Sequence, residues 1–279
     1  MLKRPAPQPC KQTEKQTEKQ TEKQHVAAAF SRAASTYDSV ADFQRAVGTR
    51  LLGLLPEPSQ TAMQHWLDMG CGTGYFCQQL QQRWPHAQGI GLDLAEGMLS
   101  FARNRCPELS YICADAEQLP LQDNSQDLVF SSLALQWCSD FSSVLSEIKR
   151  VLKPGGVLLF SSLAEGSLFE LRNSWQAVDN LAHVNQFRPL SLYQDLTANC
   201  GLQVLDVHCH THTYHYSKMR ELTHELKHLG ADHVQAGRAQ GLVGRQGLQR
   251  LLDAYEVYRQ PQGLPATWQV IYGMLRKED

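Results

Sequence analysis

The chain has 279 residues, with 26 Lys and Arg against 28 Asp and Glu, for a formal net charge of −2 at pH 7. That length gives room for one domain with insertions and its own core. The near balance of charge excludes bulk electrostatic attraction to nucleic acid, and no apolar run approaches the roughly 20 residues that a membrane-spanning helix needs. Met1 to Cys10 lacks the apolar core of a signal peptide. Eight cysteines are scattered without C-x-x-C pairs, several inside apolar segments, so reduced structural thiols in a cytoplasmic protein are expected, and no metal site.

Residues 11–24 repeat Lys-Gln-Thr-Glu three times and begin a fourth copy. The stretch has no apolar residue to pack on a core, so residues 1–24 are expected to form a disordered low-complexity tail or a frayed helix. Residues 25–59 read as an N-terminal helical section, with Val40, Phe43 and Val47 at helical spacing. The domain expected over 60–279 begins with Trp66, Leu67 and Met69, a short buried strand. It runs into Gly70-Cys71-Gly72-Thr73-Gly74 and then a helix from near Tyr75. Glycines there let the backbone turn sharply and approach a ligand closely. The G-x-G-x-x-G dinucleotide fingerprint is not met, because Tyr75 stands at its last position.

Three more apolar strands follow: Gly89 to Leu94, which holds Asp93 nineteen residues after Gly74; Tyr111 to Ala116, which holds Asp115; and Asp127 to Ser132. A fifth is expected after a helix end and turn at Leu152 to Gly156. Alternating apolar strands and helices argue for a parallel sheet covered on both faces, with ligands beyond the carboxyl ends of its strands. An acid at the second strand end can accept two hydrogen bonds from a ribose diol. Helices are expected over 167–180, 190–200, 219–229 and 248–258, and strands over 202–216 and 267–273. The extra helices near 165–185 and 217–262 leave and rejoin the sheet, and the first is expected to form a lid. His208, His210 and His212 alternate along one strand face, which suits an ordinary exposed strand better than a metal comb.

The glycine loop with Asp68 before it, and the acids Asp93 and Asp115, resemble the motifs of class I S-adenosylmethionine (SAM) methyltransferases across residues 60–163. That resemblance implies an α/β Rossmann-like fold: a mostly parallel seven-stranded sheet with helices on both faces and inserted lid helices. It also implies roles. Gly70, Cys71, Gly72 and Gly74 would let the backbone approach the amino-acid part of SAM. Asp68 would hold its ammonium, directly or through water. Asp93 would take the ribose, Leu94 and Met98 would flank the adenine, and Asp115 and Ala116 would bond its edge. S-adenosylhomocysteine would be the product.

Several stretches outside those motifs resemble one family. They are Phe30 to Asp38 with Gln44; Leu133 to Cys138; Gly166-Ser167-Leu168 followed by Trp175 to Asp179; and Leu226 to Ala231 with Gly237-Arg238. Together they are similar to the malonyl-acyl-carrier-protein O-methyltransferases of biotin biosynthesis across residues 25–277. The resemblance implies transfer of the SAM methyl to the free carboxylate of malonyl-acyl-carrier protein, giving the ester that primes pimeloyl synthesis. That carboxylate is already ionised at neutral pH, so no general base is needed. Tyr37, Gln44, Gln136 and Trp137 are then expected to position the reactants, with an arginine pairing the carboxylate. The chain departs from the family at Gln186, where an arginine is common, and Arg188 is one substitute for it. Between 218 and 250 six Lys and Arg stand against three acids, and Lys227, Arg238, Arg245 and Arg250 are expected to dock the acidic carrier. No nucleic-acid or membrane partner is expected. The alternatives are a methyltransferase for a free small carboxylic acid such as aconitate, or for a quinone-ring carbon, and a SAM-binding regulatory protein without turnover.

Overall fold

The computed structural model of the chain describes residues 11–55, 63–229 and 244–278. The boundary expected at 59/60, the stretches Gly230-Ala231 and Gly237-Arg238, and the first ten residues lie outside them. Seven strands form one sheet: β1 His65–Met69, β2 Gln88–Asp93, β3 Ser110–Cys113, β4 Gln126–Ser132, β5 Leu152–Leu163, β6 Gln203–Tyr216 and β7 Leu264–Arg276. Their order is β3-β2-β1-β4-β5-β7-β6. β1 through β5 pair in parallel, and β7 runs antiparallel between β5 and β6. The strand order reverses between β1 and β4, the switch point where a doubly wound sheet opens a crevice.

The helices are α1 Lys11–Tyr37, α2 Asp42–Leu52, α3 Tyr75–Arg83, α4 Glu96–Arg105, α5 Phe141–Val151, α6 Phe169–Gln176, α7 Leu190–Ala198, α8 Met219–His228 and α9 Arg245–Glu256. Successive residues of the short central strands enter opposite cores, as a pleated strand requires. Trp66, Leu128 and Phe130 join one core with Phe43, Val47 and Leu51 of α2 and Cys77 and Leu80 of α3. Leu67, Met69 and Val129 join the other with Val144, Leu145 and Ile148 of α5 and Tyr193 of α7. Helix α5 starts where the Asp140 carboxylate caps the amides of Ser142 and Ser143, so its apolar face opens at Phe141.

Of the two readings open for residues 11–24, tail or helix, the structure has the helix: they are the first turns of α1, which runs to Tyr37. One segment differs from the sequence reading. Strand β5 begins at Leu152, so the expected turn at Leu152 to Gly156 already pairs with the sheet, with a register shift against β4. Lys277 Nζ donates to the Lys149 and Leu152 carbonyls, and the Gly155 amide donates to the Lys277 carbonyl. The last strand therefore ties down the backbone that a free turn would leave exposed.

Candidate active site

A cavity opens at the carboxyl ends of β1, β2 and β4, bounded by Gly70, Gly72, Asp93, Leu94, Met98, Asp115, Ala116, Tyr37 and Trp137, among others. Gly70, Gly72, Asp93, Leu94, Asp115 and Ala116 line one continuous surface because a parallel sheet aims every strand end the same way; α4 adds Met98, the turn after β4 adds Trp137, and α1 adds Tyr37. The first glycine loop has two separate reasons for its composition. Gly70 has φ +77°, and a Cβ there would lie 2.3 Å from the Ala134 Cβ. Gly72 has φ +55° and nothing within 4 Å of a Cβ position, so its missing side chain leaves space open beside the cavity. Its amide donates to Asp93 Oδ2 at 2.9 Å, while Ala95 N donates to Oδ1 at 2.8 Å. Burial pushes the Asp93 carboxyl up, partly offset by those backbone amides. Two acceptor oxygens are thus oriented by the backbone, each with a lone pair left for a diol.

The other assigned donor residues fall at different depths. Cys71 borders a smaller recess beside Gly72, Tyr37 and Gln44. Gly74 caps α3 in the left-handed region, where a Cβ would lie 2.9 Å from the Ala102 Cβ, and borders neither space. Asp68 is 2% exposed and lies beneath the loop, accepting from the Cys77 thiol at 3.3 Å. Burial, reinforced by the charge of Asp93, pushes its carboxyl up to about 7. Cys138 also lines the cavity, but burial raises its thiol to about 12, so it is a neutral apolar wall.

The expected positioning residues separate. Tyr37 faces the cavity, and burial followed by the charge of Asp93 raises its phenol, which stays a neutral donor. Trp137 lies edge-on to Phe30 of α1 at 5.3 Å. Gln44 borders the recess, and its Oε1 is buried without a hydrogen-bond partner. Gln136 does not reach the cavity. It is 9% exposed, its amide donates to the Leu133 carbonyl at 2.5 Å, and Ser162 donates to its Oε1 at 3.3 Å. It braces the short 3₁₀ turn that carries Trp137, because both its donor and its acceptor are spent on backbone and core.

Three groups escaped the sequence reading. Lys23, from the fourth copy of the repeat, reaches down from α1 to Asp115 at 2.6 Å and Glu117 at 2.8 Å. Burial lowers its ammonium, but the hydrogen bonds to those two carboxylates outweigh that and leave it raised. Asp38, just past α1, accepts from the Thr73 hydroxyl at 2.7 Å and pairs with Arg105. Arg45 and Arg105 both stand over the ring of Tyr75, at 5.3 and 5.8 Å. No local pattern announces these contacts, which span 30 to 94 positions in sequence.

A second cavity of about 310 Å³ lies beyond Trp137, walled by α6, residues 182–187 and α8. Helix α6, expected as a lid, roofs this second space, whereas α1 supplies the roof of the first through Lys23, Val26, Ala27 and Phe30. Lys227 lines the second cavity. Arg245 and Arg250 are exposed on α9, and Arg238 lies outside the described residues. Arg188 donates to the Cys138 carbonyl at 2.7 Å and does not line the second cavity. His208 bonds Asp206, and His212 bonds Tyr272, at 2.8 and 3.0 Å.

Comparison with known proteins agrees with this architecture. A family model described as a methyltransferase domain matches residues 67–160. Two solved structures share the fold at 20% identity. A Bacillus halodurans protein solved as a candidate methyltransferase has a TM-score of 0.59 over 83% of this chain and 98% of its own. The Bacillus subtilis YcgJ protein has 0.57 over 83% and 99%. The malonyl-acyl-carrier-protein O-methyltransferase of Serratia marcescens is 44% identical over 91% of this chain and 95% of its own length. That of Yersinia pestis is 44% identical over 91% of each. The biotin biosynthesis bifunctional protein BioHC of Cellvibrio japonicus is 47% identical over 90% of this chain, which spans half of that longer relative. The chain belongs to the malonyl-acyl-carrier-protein O-methyltransferase family.

Proposed function

We propose that the protein transfers the methyl group of SAM to the free carboxylate of a malonyl thioester on acyl-carrier protein. The product is the methyl ester that primes pimeloyl synthesis for biotin. The observation that carries this reading is the meeting of Gly70, Gly72, Asp93 and Asp115 with Tyr37 and Trp137 in one cavity. The cavity fits SAM: Gly72 leaves a cradle that a Cβ would fill, Asp93 offers a forked acceptor, and Leu94 and Met98 supply apolar walls. Asp68, behind the loop, supports the ammonium through an intervening group, since it does not line the cavity.

When bound, SAM would supply an electrophilic methyl group on a sulfonium, whose transfer to a carboxylate oxygen would release neutral S-adenosylhomocysteine and would need no proton movement. The residues of this chain accordingly have no base to provide. Their work is to orient and to exclude water, and good orientation supplies roughly 7–11 kcal/mol of such a barrier. The neutral Tyr37 phenol lines the cavity with its proton available to a bound reactant, and Gln136 holds the turn that presents Trp137. Docking of the acidic carrier falls to exposed Arg245 and Arg250 on α9, beside Leu248, which is 50% exposed. No described helix is long and apolar enough to cross a membrane. Free thiols at all seven described cysteines support a reducing compartment, the cytoplasm.

The test is incubation of purified protein with methyl-labelled SAM and malonyl-acyl-carrier protein. Malonyl-coenzyme A, aconitate and carrier without malonyl serve as comparisons. Base-labile label on the malonyl carrier is the expected result. Label on aconitate alone, or tight SAM binding with no transfer, overturns it in favour of another acceptor or a regulatory role.

A further inference from the structure

The second cavity has a composition that the donor site does not explain. Its walls are mostly apolar: Leu168, Leu171, Trp175, Phe187, Leu226 and Trp268. Trp137 belongs to both cavities, so this one side chain partitions them. Among its described lining residues there is no carboxylate, and Lys227, exposed on α8, is the one lysine or arginine. Its other titratable lining group, His183, stacks on Trp175 at 3.6 Å and is held by Asp179 at 2.8 Å. That stack fixes the irregular segment after α6, so the wall is preformed. Helix α8 ends beside the first cavity as well: the Thr36 hydroxyl, next to Tyr37, donates to the His228 carbonyl at 3.2 Å. The residue after Lys227 thus abuts the residue before Tyr37.

We infer that this cavity is the acceptor chamber, taking an acyl thioester with its amide-bearing arm, and that Lys227 is the cation that selects the free carboxylate. The inference rests on the functional reading above and refines it. It also removes Lys227 from the carrier-docking face. An apolar chamber with one cation suits a short chain bearing a single terminal anion: the walls desolvate the chain, and the ammonium compensates the carboxylate. The carboxylate then lies against Trp137, across from the donor side.

The experiment titrates malonyl-pantetheine, which has neither carrier nor phosphate, into the protein saturated with S-adenosylhomocysteine. Binding is read by calorimetry without turnover. Wild type should bind malonyl-pantetheine at least about tenfold more tightly than acetyl-pantetheine, and Lys227→Met should abolish that preference while Lys227→Arg keeps most of it. Affinity for S-adenosylhomocysteine should stay unchanged in both variants. Leu171→Trp, which fills the chamber, should weaken both thioesters alike. In turnover assays, Lys227→Met should raise KM equally for malonyl-pantetheine and malonyl-carrier. A malonyl preference that survives in Lys227→Met overturns the assignment. So does a loss confined to the carrier-bound substrate, which would return Lys227 to a docking role. Failure of the functional reading looks different: selective, Lys227-dependent binding with no ester formed from either substrate.

Discussion

At the scale of single residues, the site is governed by how much water each acid keeps. Asp68 and Asp93 are two carboxylates one strand apart, yet the backbone amides of Gly72 and Ala95 support the second while the first has a thiol. Asp68 has a folded value near 7 against an ordinary 3.8. A folded value above the unfolded one means that its contribution to stability is fully present below about pH 4 and is lost as pH rises through 7. Asp68→Asn, neutral throughout, should therefore match wild type in urea unfolding below about pH 4 and exceed it at pH 8, by up to about 4 kcal/mol. Equal advantage at both pH values would show that Asp68 titrates normally. Lys23 shows the opposite economy: one ammonium, 12% exposed, answers two carboxylates at the cavity rim.

Among elements, α1 and β7 do what no short motif describes. Helix α1 crosses α4 where Gly97 lets the backbones meet; a Cβ there would lie 2.7 Å from the Ser31 Cα. The Gly97 amide donates to the Ser31 hydroxyl at 3.2 Å. Gly97→Ala should lift α1 from the first cavity, speeding amide exchange in α1 and weakening SAM about tenfold, with strand exchange unchanged. Retained SAM affinity would mean that α1 is not the roof. Strand β7 holds α6 through a buried acid: Glu170, 1% exposed, accepts from both the amide and the hydroxyl of Thr267. Thr267→Val removes the hydroxyl and leaves Glu170 short of a donor in the core. A loss of about 1–3 kcal/mol in urea unfolding is expected. A change under about 0.5 kcal/mol would indicate that the pair is not structural.

For the whole molecule, the sheet sets one cavity at its switch point, and the insertions after β5 and β6 build a second beside it. Helix α9 faces outward with Arg245, Arg250 and Leu248 exposed, the mixture of cation and apolar anchor that an acidic carrier would meet. The double variant Arg245→Glu/Arg250→Glu should raise KM for malonyl-carrier about tenfold or more at low salt, less at high salt, and leave malonyl-pantetheine untouched. Equal kinetics on the two substrates in that variant would remove the docking role from α9.

The sequence by itself determined the parallel sheet and the acids and glycines at its strand ends. Those signals are local: a strand, its turn and its acid lie within about ten residues, and the sheet aligns them by its own pairing. It also determined the family, because the stretches from Phe30 to Asp38 through to Gly237-Arg238 resemble that family's pattern. Only the tertiary structure decided the depth of Asp68, the bracing role of Gln136 and the entry of Lys23. Each of these depends on which side chains from distant segments exclude water from a group, and neither composition nor spacing encodes that. The Lys-Gln-Thr-Glu repeat is the clearest instance. Its residues offer no apolar face, yet Lys23 gains a fixed partner because Asp115 and Glu117 arrive from 92 and 94 positions away.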